Sequence, residues 1–120
     1  MEPGRYLVAE AGVLLARVNA IKQKYGRHFI GLDAGMHNLL RPALYDAHHP
    51  IMNLTRLDVV ETMRADIVGP ICESGDILGG ERTLPQTEVG DVFLIAHAGA
   101  YGAVMASNYN RRAAADEVML

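Results

Sequence analysis

Over its first fifty residues the chain runs as short apolar stretches broken by single glycines or aspartates: residues 6–11, 12–21 and 28–33. Stretches of this length, rich in Val, Leu, Ile and Phe and stopped by turn residues, predict β-strands packed on a common core. The second stretch also fits a 3.6-residue period through Val13, Leu14, Ala16, Arg17 and Ala20, so a helix competes there; we read it as strand. Residues 38–45 lack β-branched side chains and predict a short helix or turn limited by Pro42. Residues 66–68 and 91–96 read as buried strands, the second opened by the turn pair Gly90-Asp91. Residues 99–110 are rich in small side chains and fit one or two helical turns, and residues 117–120 read as a last strand. No repeat, linker or low-complexity tract divides the chain, so residues 1–120 are expected to form a single, mostly β domain.

Composition narrows the function classes. The formal charge is −3, with acids and bases interspersed, which gives no footprint for nucleic acid or for an anionic membrane surface. No apolar run approaches the roughly 20 residues of a spanning helix and no signal peptide is evident, so a cytoplasmic location is the default expectation. The single cysteine, Cys72, excludes an internal disulfide framework. The histidines at 28, 37, 48, 49 and 97 have no metal-ligand spacing, and no metal site is expected.

Four ordered segments carry a family resemblance. They are Glu2-Pro-Gly-Arg5, then Asp33-Ala-Gly-Met36 with Arg41-Pro-Ala-Leu-Tyr-Asp46, then Gly69-Pro-Ile-Cys-Glu-Ser-Gly-Asp76, and finally Gly99-Ala-Tyr-Gly102 with Asn108-Tyr-Asn110. Together they resemble the diaminopimelate decarboxylases, enzymes of the alanine racemase/ornithine decarboxylase type that use pyridoxal 5'-phosphate. The resemblance implies a C-terminal β-barrel or sandwich domain with one or two short helices. It further implies an N-terminal (β/α)8 barrel of about 250 residues elsewhere, a homodimer with sites shared between subunits, and conversion of meso-2,6-diaminopimelate to L-lysine and carbon dioxide. Met1 directly before Glu-Pro-Gly-Arg suggests a start placed at a domain boundary.

The resemblance also implies roles. Arg5 and Arg41 would hold the distal carboxylate of the substrate, for which a guanidinium offers a planar two-donor fork. Tyr45, one helical turn beyond Arg41, would add a hydroxyl. Glu73 would take the distal ammonium, and Cys72 would deliver the proton to Cα, both reaching into the site of the second subunit. Glu2, Gly4, Arg5 and Tyr101 would line the cofactor, with Tyr101 also near the substrate. Tyr109 is expected to pack, its hydroxyl satisfied locally.

Blander readings stand beside these. Arg41 can pair with Asp46 on one helix face, and a lone cysteine is often a small buried hydrophobe. Glu2 and Gly4 can belong to a frayed terminus, and Tyr101 can be an ordinary packed aromatic. The only lysines, Lys22 and Lys24, read as solvated strand lysines, so the lysine that holds the cofactor lies outside this sequence and the isolated chain is expected to be inert. His37 and His48 depart from the family pattern beside Arg41 and Tyr45, which touches substrate preference. Competing functions are a related decarboxylase for carboxynorspermidine, ornithine or arginine, and a non-catalytic β module. Apolar surface that would otherwise meet a barrel favours self-association.

Overall fold

A computed structural model describes residues 3–119. Six strands form one sheet in the order β3-β6-β1-β2-β4-β5, with β1 Leu14–Lys24, β2 Arg27–Leu32, β3 Ile51–Asn53, β4 Glu61–Val68, β5 Ile77–Pro85 and β6 Val92–Ile95. Two short helices accompany them, α1 Gly4–Val8 and α2 Arg41–Tyr45. All pairings are antiparallel except that of β2 with β4.

The long strand β1 explains the curvature. Its first part pairs with β6 (Leu14 opposite Ile95) and its second with β2 (Ile21 opposite Ile30), with a register shift between Val18 and Ala20. The extra residue, Asn19, donates its amide to the Leu32 carbonyl at 3.1 Å. A bulge of this kind bends a strand and raises its twist. The sheet therefore wraps until its edge strands approach: a Cβ on Gly79 of β5 would lie 2.8 Å from Ile51 Cδ1 of β3. Inside the wrap, Ala16, Val18, Ile30, Leu32, Met63, Ile67, Leu78, Leu84, Phe93 and Ile95 form a continuous buried core. Full burial of each large member contributes about 1.5–3 kcal/mol.

The parallel pairing of β2 with β4 requires a crossover. That connection carries α2 and β3, and so sets α2 at one end of the sheet. Hairpin β1–β2 turns tightly at Tyr25 and Gly26, both at positive φ (52° and 75°), the geometry for which Gly is suited.

The strands expected at 12–21, 28–33, 66–68 and 91–96 are present, with β4 beginning earlier, at Glu61. Two expectations are corrected, and one strand was not expected at all. Residues 6–11 are not a strand: Leu7 N–H donates to the Pro3 carbonyl at 3.1 Å in α1, and residues 9–11 continue as a 3-10 turn. The stretch lacks polar alternation and has no strand beside it to complete a ladder. Residues 117–119 form no strand, and Met119 is 98% exposed; Leu120 lies outside the described residues. The nine-residue β5 was not anticipated. Its two glycines, Glu81 at φ 50° and terminal Pro85 interrupt the pattern by which a strand is recognised.

Candidate functional site

Two groups of polar side chains, carried by different connections, stand out. The first surrounds an open hollow of about 590 Å³ lined by Arg5, Arg41, Tyr45, Ala47, Tyr101 and Met105. Arg5 comes from α1. Arg41 and Tyr45 open and close α2, one turn apart on one face, with Pro42 tolerated because first-turn N–H groups need no intrahelical acceptor. Tyr101 is held at φ 62° in the loop after β6, and its ring faces the Arg41 guanidinium at 5.9 Å.

Arg41 does not pair with Asp46. The helix stops at Asp46, which adopts the left-handed conformation, and the Arg41 guanidinium lies 3.4 Å from His49 Nε2 instead. His49 is fully buried, and its Nδ1 lies 2.9 Å from the Ala96 carbonyl. A carbonyl can only accept, so Nδ1 carries the proton and Nε2 accepts from Arg41. Burial holds His49 below the ordinary imidazole range; the Ala96 carbonyl opposes that shift and the nearby Arg41 charge adds to it. Among the described residues, neither Arg5 nor Arg41 has a carboxylate at ion-pair distance. The hollow therefore presents two guanidiniums and two phenols, a donor set suited to an anionic group.

The second group lies on the loop from Gly69 to Asp76, between β4 and β5. Asp76 is buried and organises it. Its carboxylate accepts from Met36 N–H at 2.6 Å and from Ile71 N–H at 2.7 Å, while Gly69 N–H donates to the Asp76 carbonyl at 3.0 Å. A Cβ on Gly69 would lie 2.3 Å from that carboxylate and 2.5 Å from the Cα of Gly35, so both chains must be bare there for the loops to meet. Cys72 and Glu73 sit at the exposed tip. Glu73 accepts a hydrogen bond from the Tyr109 hydroxyl, and this bond and the Glu73 charge push the phenol above its usual range.

Of the residues singled out by sequence, Arg5, Arg41, Tyr45 and Tyr101 converge on the hollow, and Cys72 with Glu73 form the separate tip. No hydrogen bond or ion pair among the described residues joins the two groups within one chain. Gly4 opens α1, and among the described residues beyond its chain neighbours and its own helix backbone nothing lies within 4 Å of where its Cβ would stand; Glu2 lies outside the described residues. Lys22 and Lys24 are exposed on β1, away from the hollow. Cys72 is exposed and not a core hydrophobe, and Tyr109 is half exposed and bonded to a residue distant in sequence instead of packed. His49 and Asp76 were given no role by sequence reasoning; only the fold shows what their side chains meet. Among the described residues, no group of three or more acidic, histidine or cysteine side chains is placed to hold a metal, and no helix is long and apolar enough to cross a membrane.

A strongly curved six-stranded sheet with an anion-facing hollow at one end is the architecture of a known domain class. The pattern described as "Pyridoxal-dependent decarboxylase, C-terminal sheet domain" matches residues 5–99, and the chain belongs to that family. Over 120 residues it is 53% identical to the diaminopimelate decarboxylase of Neisseria meningitidis serogroup B, all of this chain matching 28% of the relative. The crystal structure of diaminopimelate decarboxylase from M. jannaschii in co-complex with L-lysine superposes with a TM-score of 0.85 at 45% identity, covering 90% of this chain and 24% of that one. The lysine/ornithine decarboxylase of Vibrio vulnificus, complexed with cadaverine, gives 0.82 at 25% identity, covering 92% and 30%. The chain thus spans under a third of the length of these relatives.

Proposed function

We propose that residues 1–120 are the C-terminal domain of a diaminopimelate decarboxylase, acting with a cofactor-bearing barrel in a homodimer in the cytoplasm. The whole enzyme converts meso-2,6-diaminopimelate to L-lysine and carbon dioxide. The observation that carries this reading is the division of charge between the two groups: two guanidiniums in the hollow with no carboxylate partner among the described residues, and one carboxylate beside a thiol at the tip. A distal amino-acid group bears one carboxylate and one ammonium, and needs both. The identity to the Neisseria enzyme and the lysine complex of the M. jannaschii enzyme favour this substrate over an amino acid without a distal carboxylate.

Pyridoxal phosphate, when bound, supplies the sink for the electron pair left on Cα. The hollow fits an anionic partner but offers no lysine, so covalent attachment falls to the barrel. Arg5 and Arg41 hold the distal carboxylate in two-donor contacts, Tyr45 donates its hydroxyl to it, and Tyr101 faces the cofactor. The partner subunit's Glu73 meets the distal ammonium, and its Cys72 gives a proton to Cα. Cys72 and Glu73 are not among the residues that line the hollow of their own chain, which favours a second subunit as their source.

Subunit complementation tests the arrangement. A full-length subunit lacking the barrel lysine and another carrying C72S with E73Q are each inactive alone; mixed and re-annealed, they regain activity through hybrid sites. Mixed subunits that remain as inactive as their parents would rule the shared site out.

A further inference from the structure

The tip carboxylate is not left to move freely. Tyr109 donates its hydroxyl to Glu73 Oε1 across 36 residues of sequence. The segment carrying Tyr109 is tied down by its own contacts: Ser107 N–H donates to the His37 carbonyl at 2.8 Å, and Tyr109 N–H reaches Ser107 Oγ at 3.4 Å. Immediately afterwards Asn110 and Arg111 both take positive φ, 54° and 58°. Two successive non-glycine residues there are costly and persist only where surrounding contacts enforce them. The His37 connection that anchors this segment is also the one whose Met36 N–H binds Asp76, at the base of the tip. Glu73 is thus held from below by its loop and from the side by the C-terminal segment.

We propose that Tyr109 is a positioning residue for Glu73, holding one carboxylate oxygen so that the other faces the distal ammonium of the substrate. This rests on the reading of Glu73 as the ammonium site. A carboxylate fixed at one oxygen presents a single direction to a cation, whereas a free one samples several rotamers and loses entropy on binding. The phenol acts through Glu73 and touches neither the cofactor nor the reacting carbon.

The test uses Y109F, which removes one oxygen from a half-exposed side chain. In the full-length holoenzyme, KM for diaminopimelate rises about three- to tenfold, the loss expected for one such hydrogen bond, with a smaller effect on kcat. Inhibition by 2-aminopimelate, which keeps the distal carboxylate but lacks the distal amino group, is unchanged. Equal losses with both compounds, or none with either, overturn the proposal. In the 120-residue chain, NMR titration of ring-labelled tyrosines finds the Tyr109 phenol elevated, and E73Q returns it towards the ordinary value near about 10. A Tyr109 titration indifferent to E73Q also overturns it. If that titration responds but E73Q leaves KM for diaminopimelate unaltered in the holoenzyme, Glu73 is not the ammonium site and the positioning role falls with it.

Discussion

His49 accepts a hydrogen bond at 3.4 Å from Arg41, so a group with no solvent exposure orients a cation at the rim of the hollow. This relationship makes the site sensitive to acid. Protonated, Nε2 has no lone pair to offer and repels the guanidinium. Burial lowers the His49 pKa in the folded chain, and His37 is lowered in the same direction, mainly by burial. The unfolded chain therefore takes up these protons first, near about pH 6.5, so this part of the stability is present above that pH and is lost as pH falls through it. We expect the urea midpoint to drop between about pH 7.5 and pH 5.5, and H49Q to show a shallower dependence. Parallel slopes for wild type and H49Q would remove His49 from the account.

Asp76 holds the base of the tip through two backbone N–H groups, those of Met36 and Ile71. D76A strands both donors and should destabilise the chain by about 2–4 kcal/mol. D76N keeps the shape but turns an NH2 towards one donor, so it should recover only part of that loss. Chemical denaturation measures both, and a D76A midpoint at the wild-type value would show that water replaces the carboxylate.

How much of this was readable in advance depends on how local each signal is. Strands β1, β2 and β6 follow from short, largely apolar stretches bounded by turn residues, a signal carried within a few residues. Strand β5 does not, since Gly79, Gly80 and the left-handed Glu81 serve its bulge against β4 and its approach to Ile51, both long-range requirements. The same division runs through the site. Arg41 and Tyr45 share a helix face by spacing alone, and motif resemblance singled out Cys72 and Glu73 as candidates. The bond of Tyr109 to Glu73 and the contact of Arg41 with His49 arise from packing of segments that nothing in the local pattern connects.

R41K separates charge from geometry. Lysine keeps the positive charge but gives up the two-donor fork, the planar guanidinium 5.9 Å from the Tyr101 ring and the contact with His49. We expect the variant to fold, and KM for diaminopimelate in the holoenzyme to rise about tenfold or more. Steady-state kinetics decide the matter: an unchanged KM means that charge alone suffices.

The last expectation concerns Cys72, whose exposed thiol sits at the tip of the Gly69 to Asp76 loop, beside Glu73. An exposed thiol on the isolated domain serves no packing purpose, so C72S should leave the urea midpoint unchanged. A proton donor at Cα would be missed in a different measurement. Serine is a far weaker acid than a thiol, and losing a positioned proton donor slows turnover by about 10²- to 10⁴-fold. Substrate contacts at the distal end are untouched, so KM should move little. Iodoacetamide gives an independent reading: it should modify Cys72 readily in the folded 120-residue chain without denaturant, and more slowly in the assembled dimer, where substrate adds further protection. Equal labelling rates in the two forms would place the thiol outside the subunit boundary, and C72S turnover within about twofold of wild type would assign the proton to another group.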